Sequence, residues 1–353
     1  MKLSWIAAAS ALILAGCGGS GYSASRSGST GSTASPFTSE ALAINDHNVA
    51  VGYSTDSTNQ KRAVLFLPNG ATAPTLYTIH DIGTLGGSMT HVYAINASGQ
   101  CTGWSYDASS VVHGFFYSGG TLHDTEILQG DSGSMGLGLN DNGVLVGESY
   151  NLSTTHPYRW DLVNGYQQVH TPDGQSNGVL TGINNSGVMV GSYLTSTFEV
   201  RTFLALMDNT TYDLKQLAGV LGVAKAINNN AYIVGDDSPT GGWWFQDVLP
   251  YTPLPNHGGI NHNPIYAVNN NQVIVGADLF GTHLHAVSYT TSGTERDLGV
   301  LGDPNVVDLN TLISASDLQT VGRLIDATGM NATGQICCNT QTGHAVILTP
   351  ASP

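Results

Sequence analysis

The amino-acid sequence predicts an all-β fold, a β-propeller of seven blades, each built of four short antiparallel strands. Three observations predict it. A phrase made of a small or apolar residue, an aliphatic residue, Asn, a few polar residues usually ending in Gly, and an apolar run recurs seven times. Its copies begin at Ala43-Ile44-Asn45, Ala94-Ile95-Asn96, Gly138-Leu139-Asn140, Gly182-Ile183-Asn184, Ala226-Ile227-Asn228, Ala267-Val268-Asn269 and Gly329-Met330-Asn331. Successive Asn residues stand 51, 44, 44, 44, 41 and 62 positions apart, a period typical of propellers, solenoids and arrays. Only 10% of the 353 residues are Asp, Glu, Lys or Arg while 44 are Gly, which suits tight turns between short strands and leaves out helix-forming stretches. The repeat runs almost to the end of the chain, so residues 37–353 are expected to form one domain.

The segment before the repeat reads as an address. Lys2 supplies a positive start, and Trp5 to Ala15 form an apolar stretch too short to span a bilayer. Leu14-Ala15-Gly16-Cys17 resembles the lipobox of bacterial lipoproteins. The resemblance implies that residues 1–16 are a signal peptide and that Cys17 receives lipid. The bland alternative is an ordinary signal peptide with a chance Cys. With Gly18 rather than Asp after Cys17, the lipobox resemblance implies an outer-membrane lipoprotein of a Gram-negative bacterium, facing the periplasm or the surface. The partner at that end is then the membrane, where each buried acyl methylene contributes about 0.8 kcal/mol. Residues 17–36 carry the lipidated Cys and a Gly/Ser/Thr-rich tether with too few apolar groups to order. Such a tether holds the folded part roughly 25 Å from the bilayer.

Net charge is -15, with ten Lys plus Arg. No basic patch is visible, which argues against a nucleic-acid partner, and the acidity suits the solubility of an exported protein. With Cys17 lipidated, Cys101, Cys337 and Cys338 remain. An odd number cannot all pair internally. Cys101 and Cys337 fall on the apolar run after their Asn, as buried free thiols in place of Val would; a strained Cys337–Cys338 bridge or a Cys101 link are the alternatives.

Each repeat is expected to open with a hairpin. Asn96-Ala97-Ser98-Gly99, Asn140-Asp141-Asn142-Gly143, Asn184-Asn185-Ser186-Gly187 and Asn331-Ala332-Thr333-Gly334 suit a type I turn whose Gly takes a positive φ. In the other copies Asn48, Asn230 and Asn271 are the residues expected to take it. Runs such as Val144-Leu145-Val146-Gly147 follow as strands buried on both faces. A third strand begins at or near Arg62, His113, His156, Arg201, Trp243, His285 and His344, and a fourth is seen in Tyr77 to Gly83, Tyr212-Asp213-Leu214 and Arg296 to Gly299. Four short strands in about 44 residues make one blade. Asp297-Leu298-Gly299 and Asp308-Leu309-Asn310 read as two fourth-strand phrases back to back. The first copy lacks a preceding fourth strand and the last ends at its third, so closure by a strand borrowed across the termini is expected.

These phrases resemble the HAF-repeat family of bacterial extracellular proteins. The likeness is strongest in Asp81 to Gly87 with Ala94-Ile95-Asn96 and Gly99-Gln100, and in His285-Ala286 and His344-Ala345. It implies an exported, propeller-like repeat protein and no established catalytic activity. Arg62, Arg201 and Trp243-Trp244 stand where the family has His.

Candidate sites are few. Asp46 with Asn48, or Asp141 with Asn142, offer oxygens for Ca²⁺, but the spacing of a calcium loop is absent and turn chemistry explains every copy; no metal or cofactor is assigned. His283-Leu284-His285 could chelate from one strand face, and His257 through His262 lie in a Gly-rich loop, yet no carboxylate recurs beside them to orient a ring. Trp243-Trp244-Phe245 is the aromatic cluster the repeat explains least. Adjacent strand residues point to opposite faces, so Trp243 or Trp244 could stack, with Tyr251 and His257, on a glycan or a protein partner; the bland reading is core filling. No nucleophile elbow, P-loop or His-Glu-x-x-His is present. The sequence therefore predicts a lipid-anchored binding propeller for an envelope or extracellular ligand. The rivals are a propeller hydrolase or lyase, which requires carboxylates, His and Tyr gathered at one channel mouth, and a purely structural surface protein.

Overall fold

The computed structural model describes residues 39–55, 60–69, 76–175, 177–220, 222–237, 241–246, 252–254, 264–280, 283–290, 306–308, 323–341 and 343–349. Residues 1–38, where a signal peptide, Cys17 and a tether are expected, lie outside these residues, as do Tyr251, His257 through His262, and Asp297-Leu298-Gly299.

The described chain forms seven antiparallel sheets in sequence order, the seven blades of a β-propeller. Blade 1 is β1 (Ser39–Ile44), β2 (Ala50–Thr55), β3 (Lys61–Asn69) and β4 (Leu76–Asp81), and blade 2 is β5 (Gly86–Ile95), β6 (Cys101–Asp107), β7 (Val112–Ser118) and β8 (Thr121–Asp124). Blade 3 is β9 (Gly133–Leu139), β10 (Leu145–Tyr150), β11 (Thr155–Asp161) and β12 (Gly165–Gln168), and blade 4 is β13 (Gly178–Ile183), β14 (Met189–Leu194), β15 (Val200–Ala205) and β16 (Thr211–Asp213). Blade 5 is β17 (Val223–Ile227), β18 (Ile233–Asp237), β19 (Gly241–Phe245) and β20 (Thr252–Pro253), and blade 6 is β21 (Ile265–Val268), β22 (Val273–Phe280), β23 (His283–Thr290) and β24 (Val306–Asp308). Blade 7 has β25 (Leu324–Met330), β26 (Ile336–Thr340) and β27 (Ala345–Leu348). A five-residue helix, Leu214–Ala218, follows β16 and is capped by Asp213.

The second strand of each blade is buried on both faces, and alternation decides where each side chain goes. Leu145 packs among Phe116, Tyr158 and Trp160 toward blade 2, whereas Val146 packs among Leu180, Met189 and Phe203 of blade 4. The core is thus a ring of inter-blade layers. The thiols follow the same rule: Cys101, Cys337 and Cys338 are free and buried, with Cys337 between blades 7 and 1 and Cys338 between blades 6 and 7. Burial pushes Cys101 and Cys337 up to about 12.

Seven residues after each repeat Asn, six blades carry Gly: Gly52, Gly103, Gly147, Gly191, Gly235 and Gly276. Each faces the bulge of its inner strand, where an added Cβ would overlap a backbone carbonyl oxygen, such as that of Met135 or Val179. Cys338 holds this place in blade 7, and there β25 has a second register shift, between Leu324 and Asp326, beside the one it shares with the others. Two residues before the Asn the requirement for small size comes from the neighbouring blade. A Cβ on Gly138 would stand 3.0 Å from the Gly182 Cα, and one on Gly329 would stand 3.1 Å from the Ala43 Cα.

Three expectations meet the described residues with different outcomes. First, β1 to β4 are consecutive, and blade 7 has three described strands, β25 to β27, and abuts blade 1 with no ladder between them; a strand borrowed across the termini would lie outside the described residues. The described seam is held by Ala41 N–H donating to Asn339 Oδ1 at 3.0 Å, by Thr328 Oγ1 donating to the Ala41 carbonyl at 2.7 Å, and by apolar packing. Second, the fourth strand of blade 6 is Val306–Asp308, with Asp308 opposite Val287, the register in which Asp81, Asp124 and Asp213 stand opposite their own third strands. Third, positive φ falls at the third residue after the Asn whatever its type. Asn48 (64°), Gly99 (76°), Gly143 (75°), Gly187 (81°) and Gly334 (84°) meet the expectation, but in blades 5 and 6 Ala231 (61°) and Gln272 (63°) take it rather than Asn230 and Asn271. Hairpin geometry overrides residue preference there, at about 1 kcal/mol for each side chain.

Candidate functional site

The inner strands, the first of each blade, surround the propeller axis and have two unlike ends. At their C-terminal ends the seven turns enclose a cavity of about 190 Å³ lined by the aliphatic residue, the Asn and the residue after it in the repeats. Each Asn donates through Nδ2 to the carbonyl of the next blade's Asn: Asn45 to Asn96, Asn96 to Asn140, Asn140 to Asn184, Asn184 to Asn228, Asn228 to Asn269, Asn269 to Asn331 and Asn331 to Asn45, all at 2.7 to 3.2 Å. The bonds make a closed ring. The Oδ1 of Asn184 meanwhile accepts from Ser186 N–H and Val188 N–H within its own turn, and its counterparts in blades 1, 2, 3, 5 and 6 do likewise. The residue demanded is therefore Asn: Asp has no donor for the neighbour, and Gln is one methylene too long for the turn.

A second tier sits just outside. The next residue's N–H donates to the side chain one blade on: Ala97 to Asp141, Asp141 to Asn185, Asn185 to Asn229, Asn229 to Asn270 and Ala332 to Asp46, at 2.7 to 2.9 Å. Asp46 and Asp141, weighed above as calcium ligands, thus spend carboxylate oxygens on backbone donors. Among the described residues no group of three His, Cys, Asp or Glu is placed to hold a metal.

At the other end, roughly 15 Å away along the strands, the blades differ. The residue five before the Asn pairs across the ladder with the residue eight after it: Glu40 with Tyr53, His91 with Trp104, Val179 with Ser192, Val223 with Asp236 and Asp326 with Asn339. Titratable and aromatic side chains gather where blades 7, 1 and 2 meet. The His91 ring stacks on Trp104, with centroids 6.0 Å apart, and lies 4.7 Å from Tyr93 and 6.0 Å from Tyr53. Trp104 Nε1 donates to Tyr93 OH at 3.3 Å. Lys61 Nζ donates to Tyr53 OH at 3.0 Å and stands 4.1 Å from that ring's centroid, while Asn339 Nδ2 donates to Asp326 Oδ1 at 3.0 Å.

Burial sets the charge state here. It pushes the Asp326 carboxyl up to about 7, with the Glu40 charge adding and the Asn339 hydrogen bonds opposing. Burial likewise raises Glu40, against the Tyr53 hydrogen bond and the Lys61 charge. It lowers His91 to about 4, so its imidazole is neutral at pH 7, and the His91 Nδ1 is buried without a hydrogen-bond partner. A carboxyl that can donate, a neutral imidazole and adjoining aromatic rings suit hydroxyl groups and the apolar faces of sugar rings.

Of the residues singled out from sequence, Trp243 is 1% exposed and lies over Gly235 in the layer between blades 4 and 5. It offers no face to a ligand. Trp244 is half-buried toward blade 6, its ring 5.5 Å from that of Tyr232. The two Trp do point to opposite faces, but both faces are inter-blade layers. His283 and His285 lie on β23, with His285 paired opposite Asp278. The fold does bring carboxylates to third-strand residues elsewhere: His113 to Asp124 at 2.9 Å, His156 to Asp131 at 2.8 Å and Arg201 to Asp213 at 2.7 Å. Those partners lie well along the chain from their His or Arg, which is why local sequence inspection passed them by. Glu40, His91 and Asp326 were also missed; aligning the seven copies five residues before the Asn is the signal that finds them.

The sheets define the class of this protein, a seven-bladed β-propeller. No family model matches the chain, and no curated protein matches it. Among solved structures it is similar to TolB from Acinetobacter baumannii, with a TM-score of 0.44 and 11% identity over 73% of this chain and 61% of that one. It is similar to an acylaminoacyl peptidase of Pyrococcus horikoshii, with a TM-score of 0.46 and 9% identity over 88% of this chain and 50% of that one. A third is the Aleuria aurantia lectin in complex with Fucalpha1-6GlcNAc, with a TM-score of 0.40 and 13% identity over 75% of this chain and 97% of that one.

Proposed function

We propose that this propeller is a binding module of the cell envelope, held to the outer membrane by lipid on Cys17, that takes a glycan where blades 7, 1 and 2 meet. The observation that carries it is the contrast between the ends of the inner strands. The Asn end is nearly alike in every blade and its hydrogen-bonding groups are engaged in closing the ring. The opposite end holds Glu40, His91, Tyr93 and Asp326 on one side and Val179, Thr181 and Ser192 of blade 4 on another. An asymmetric ligand needs an asymmetric set of groups, and only this end supplies one. The repeat phrases support assignment to HAF-type repeats.

The test is the thermal midpoint of the folded part against envelope glycans and peptidoglycan fragments. A ligand at 100 times its dissociation constant adds about 2.7 kcal/mol of stability. A shift with one glycan that Tyr93→Ala removes and Trp244→Ala leaves in place is expected; a shift indifferent to Tyr93 sinks the site. For the anchor, labelled palmitate should enter the protein and be lost in Cys17→Ser.

A second reading, hydrolysis of an extracellular polymer, has one observation in its favour: Asp326 beside Glu40 is a carboxyl pair of which one member holds a proton near neutrality, as a general acid requires. Release of reducing ends from a glycan by the wild type but not by Asp326→Asn separates catalysis from binding alone.

A further inference from the structure

Every propeller must close its ring, and here the closing seam differs from the other six in one respect. Five residues before the Asn the blades carry Glu40, His91, Met135, Val179, Val223, Pro264 and Asp326. The only acids fall on blades 1 and 7, the two that meet at closure. They address the same seam: Asn339, the cross-strand partner of Asp326, accepts from Ala41 N–H at 3.0 Å, donates to the Ala41 carbonyl at 3.2 Å and donates to Asp326 Oδ1 at 3.0 Å. Ala41 is the residue after Glu40, and the Glu40 charge acts on Asp326. One asparagine therefore joins the backbone of blade 1 to the carboxyl of blade 7, with the carboxyl of Glu40 beside them.

We propose that Glu40 and Asp326 form a proton-dependent latch across the seam: with Asp326 neutral the first and last blades lie together, and with both carboxyls ionised their repulsion loosens β1 from β25 and β26. The surrounding groups assign the proton to Asp326. Lys61 and Tyr53 stand by Glu40 and favour its charged form, and neither is among the groups acting on Asp326. His91 is neutral, and the Cys337 and Cys338 thiols beside Asp326 are held protonated by burial. Asp326, at about 7, changes charge between pH 5 and 8, and Asn339 ties that change to the Ala41 backbone of blade 1. The folded value of Asp326, about 7, lies above the ordinary 3.8, so the closed ring binds the proton more tightly than the unfolded chain. The stability from this group is full below the ordinary value and lost as pH rises through about 7. The latch concerns the ring itself and stands whether or not the mouth takes a glycan.

The test is hydrogen exchange of the intact protein at pH 5.5 and pH 8, corrected for intrinsic rates, with the thermal midpoint followed over the same range. Exchange at Ala41 and along β25 and β26 should rise roughly tenfold at the higher pH, the factor that one unit of differential proton affinity supplies, while β13 to β15 of blade 4 stay unchanged. The midpoint should fall with rising pH, and Asp326→Asn, which keeps an acceptor for Asn339, should flatten that slope. Asp236→Asn in blade 5 is the control and should leave the seam's exchange pattern as in wild type. Uniform exchange across blades, or an unaltered slope in Asp326→Asn, overturns the latch; if that variant does not fold, the exchange of the wild type decides alone.

Discussion

The two ends of the inner strands are made from the same repeats and follow opposite rules. At one end seven Asn side chains satisfy every blade in the same way, and the small residue two places earlier and the Gly seven places later recur because backbone atoms of a neighbouring strand leave no room. At the other end no such constraint acts, and the positions hold Glu, His, Met, Val, Pro and Asp in turn. Repetition marks the places where the ring is built. Departure from it marks where the molecule is free to recognise something.

The sharpest way to break this comparison is to put a side chain where the repeat forbids one. Gly191→Val forces atoms into the Val179 carbonyl and should cost more than about 4 kcal/mol or prevent folding, read by circular dichroism and denaturant midpoint. Next is the ring itself. Asn184→Ala strands the N–H groups of Ser186 and Val188 and removes the bond to Asn228, a loss of about 2–4 kcal/mol in urea unfolding. Asn184→Asp keeps the acceptor but sets a carboxylate against the Asn228 carbonyl, so it should unfold more readily at pH 7 than at pH 4.

Smaller and of opposite sign is Ala231→Gly, which relieves a positive φ of 61° and should stabilise by about 1 kcal/mol. A destabilised Ala231→Gly would show that hairpin geometry does not strain this turn. At the variable end the effect on stability should be least. Tyr93→Phe removes the acceptor for Trp104 Nε1 and should cost about 1 kcal/mol or less, yet weaken ligand binding severalfold in titration calorimetry. If it destabilises as much as Asn184→Ala, the variable end is as structural as the repeated one.

Much of the fold was legible because its causes are local. The turn from Asn184 to Gly187 and the run from Val188 to Gly191 state a hairpin and a buried strand in their own residues. The site was legible only in part. Trp243 looked anomalous beside its repeat, but its ring fills the layer over Gly235, and a layer between blades depends on residues tens of positions apart. The carboxylate partners of His113 and His156 were not legible, because Asp124 lies 11 residues after the one and Asp131 lies 25 residues before the other. The contacts of the closing seam were not legible either, because Asn339 and Thr328 meet Ala41 from 298 and 287 residues away along the chain.

By itself the sequence determined the blade count, the strand order within a blade and the demand for Asn and small residues in each turn, since all follow from short-range geometry repeated at a fixed period. The tertiary structure alone decided that the Asn residues hand hydrogen bonds from blade to blade. It also decided that Ala231 and Gln272 bear the positive φ, and that Glu40, His91 and Asp326, as many as 286 residues apart, come together where blades 7, 1 and 2 meet. Those outcomes depend on which backbone meets which across the ring, and ring closure brings together groups whose separation along the chain carries no signal.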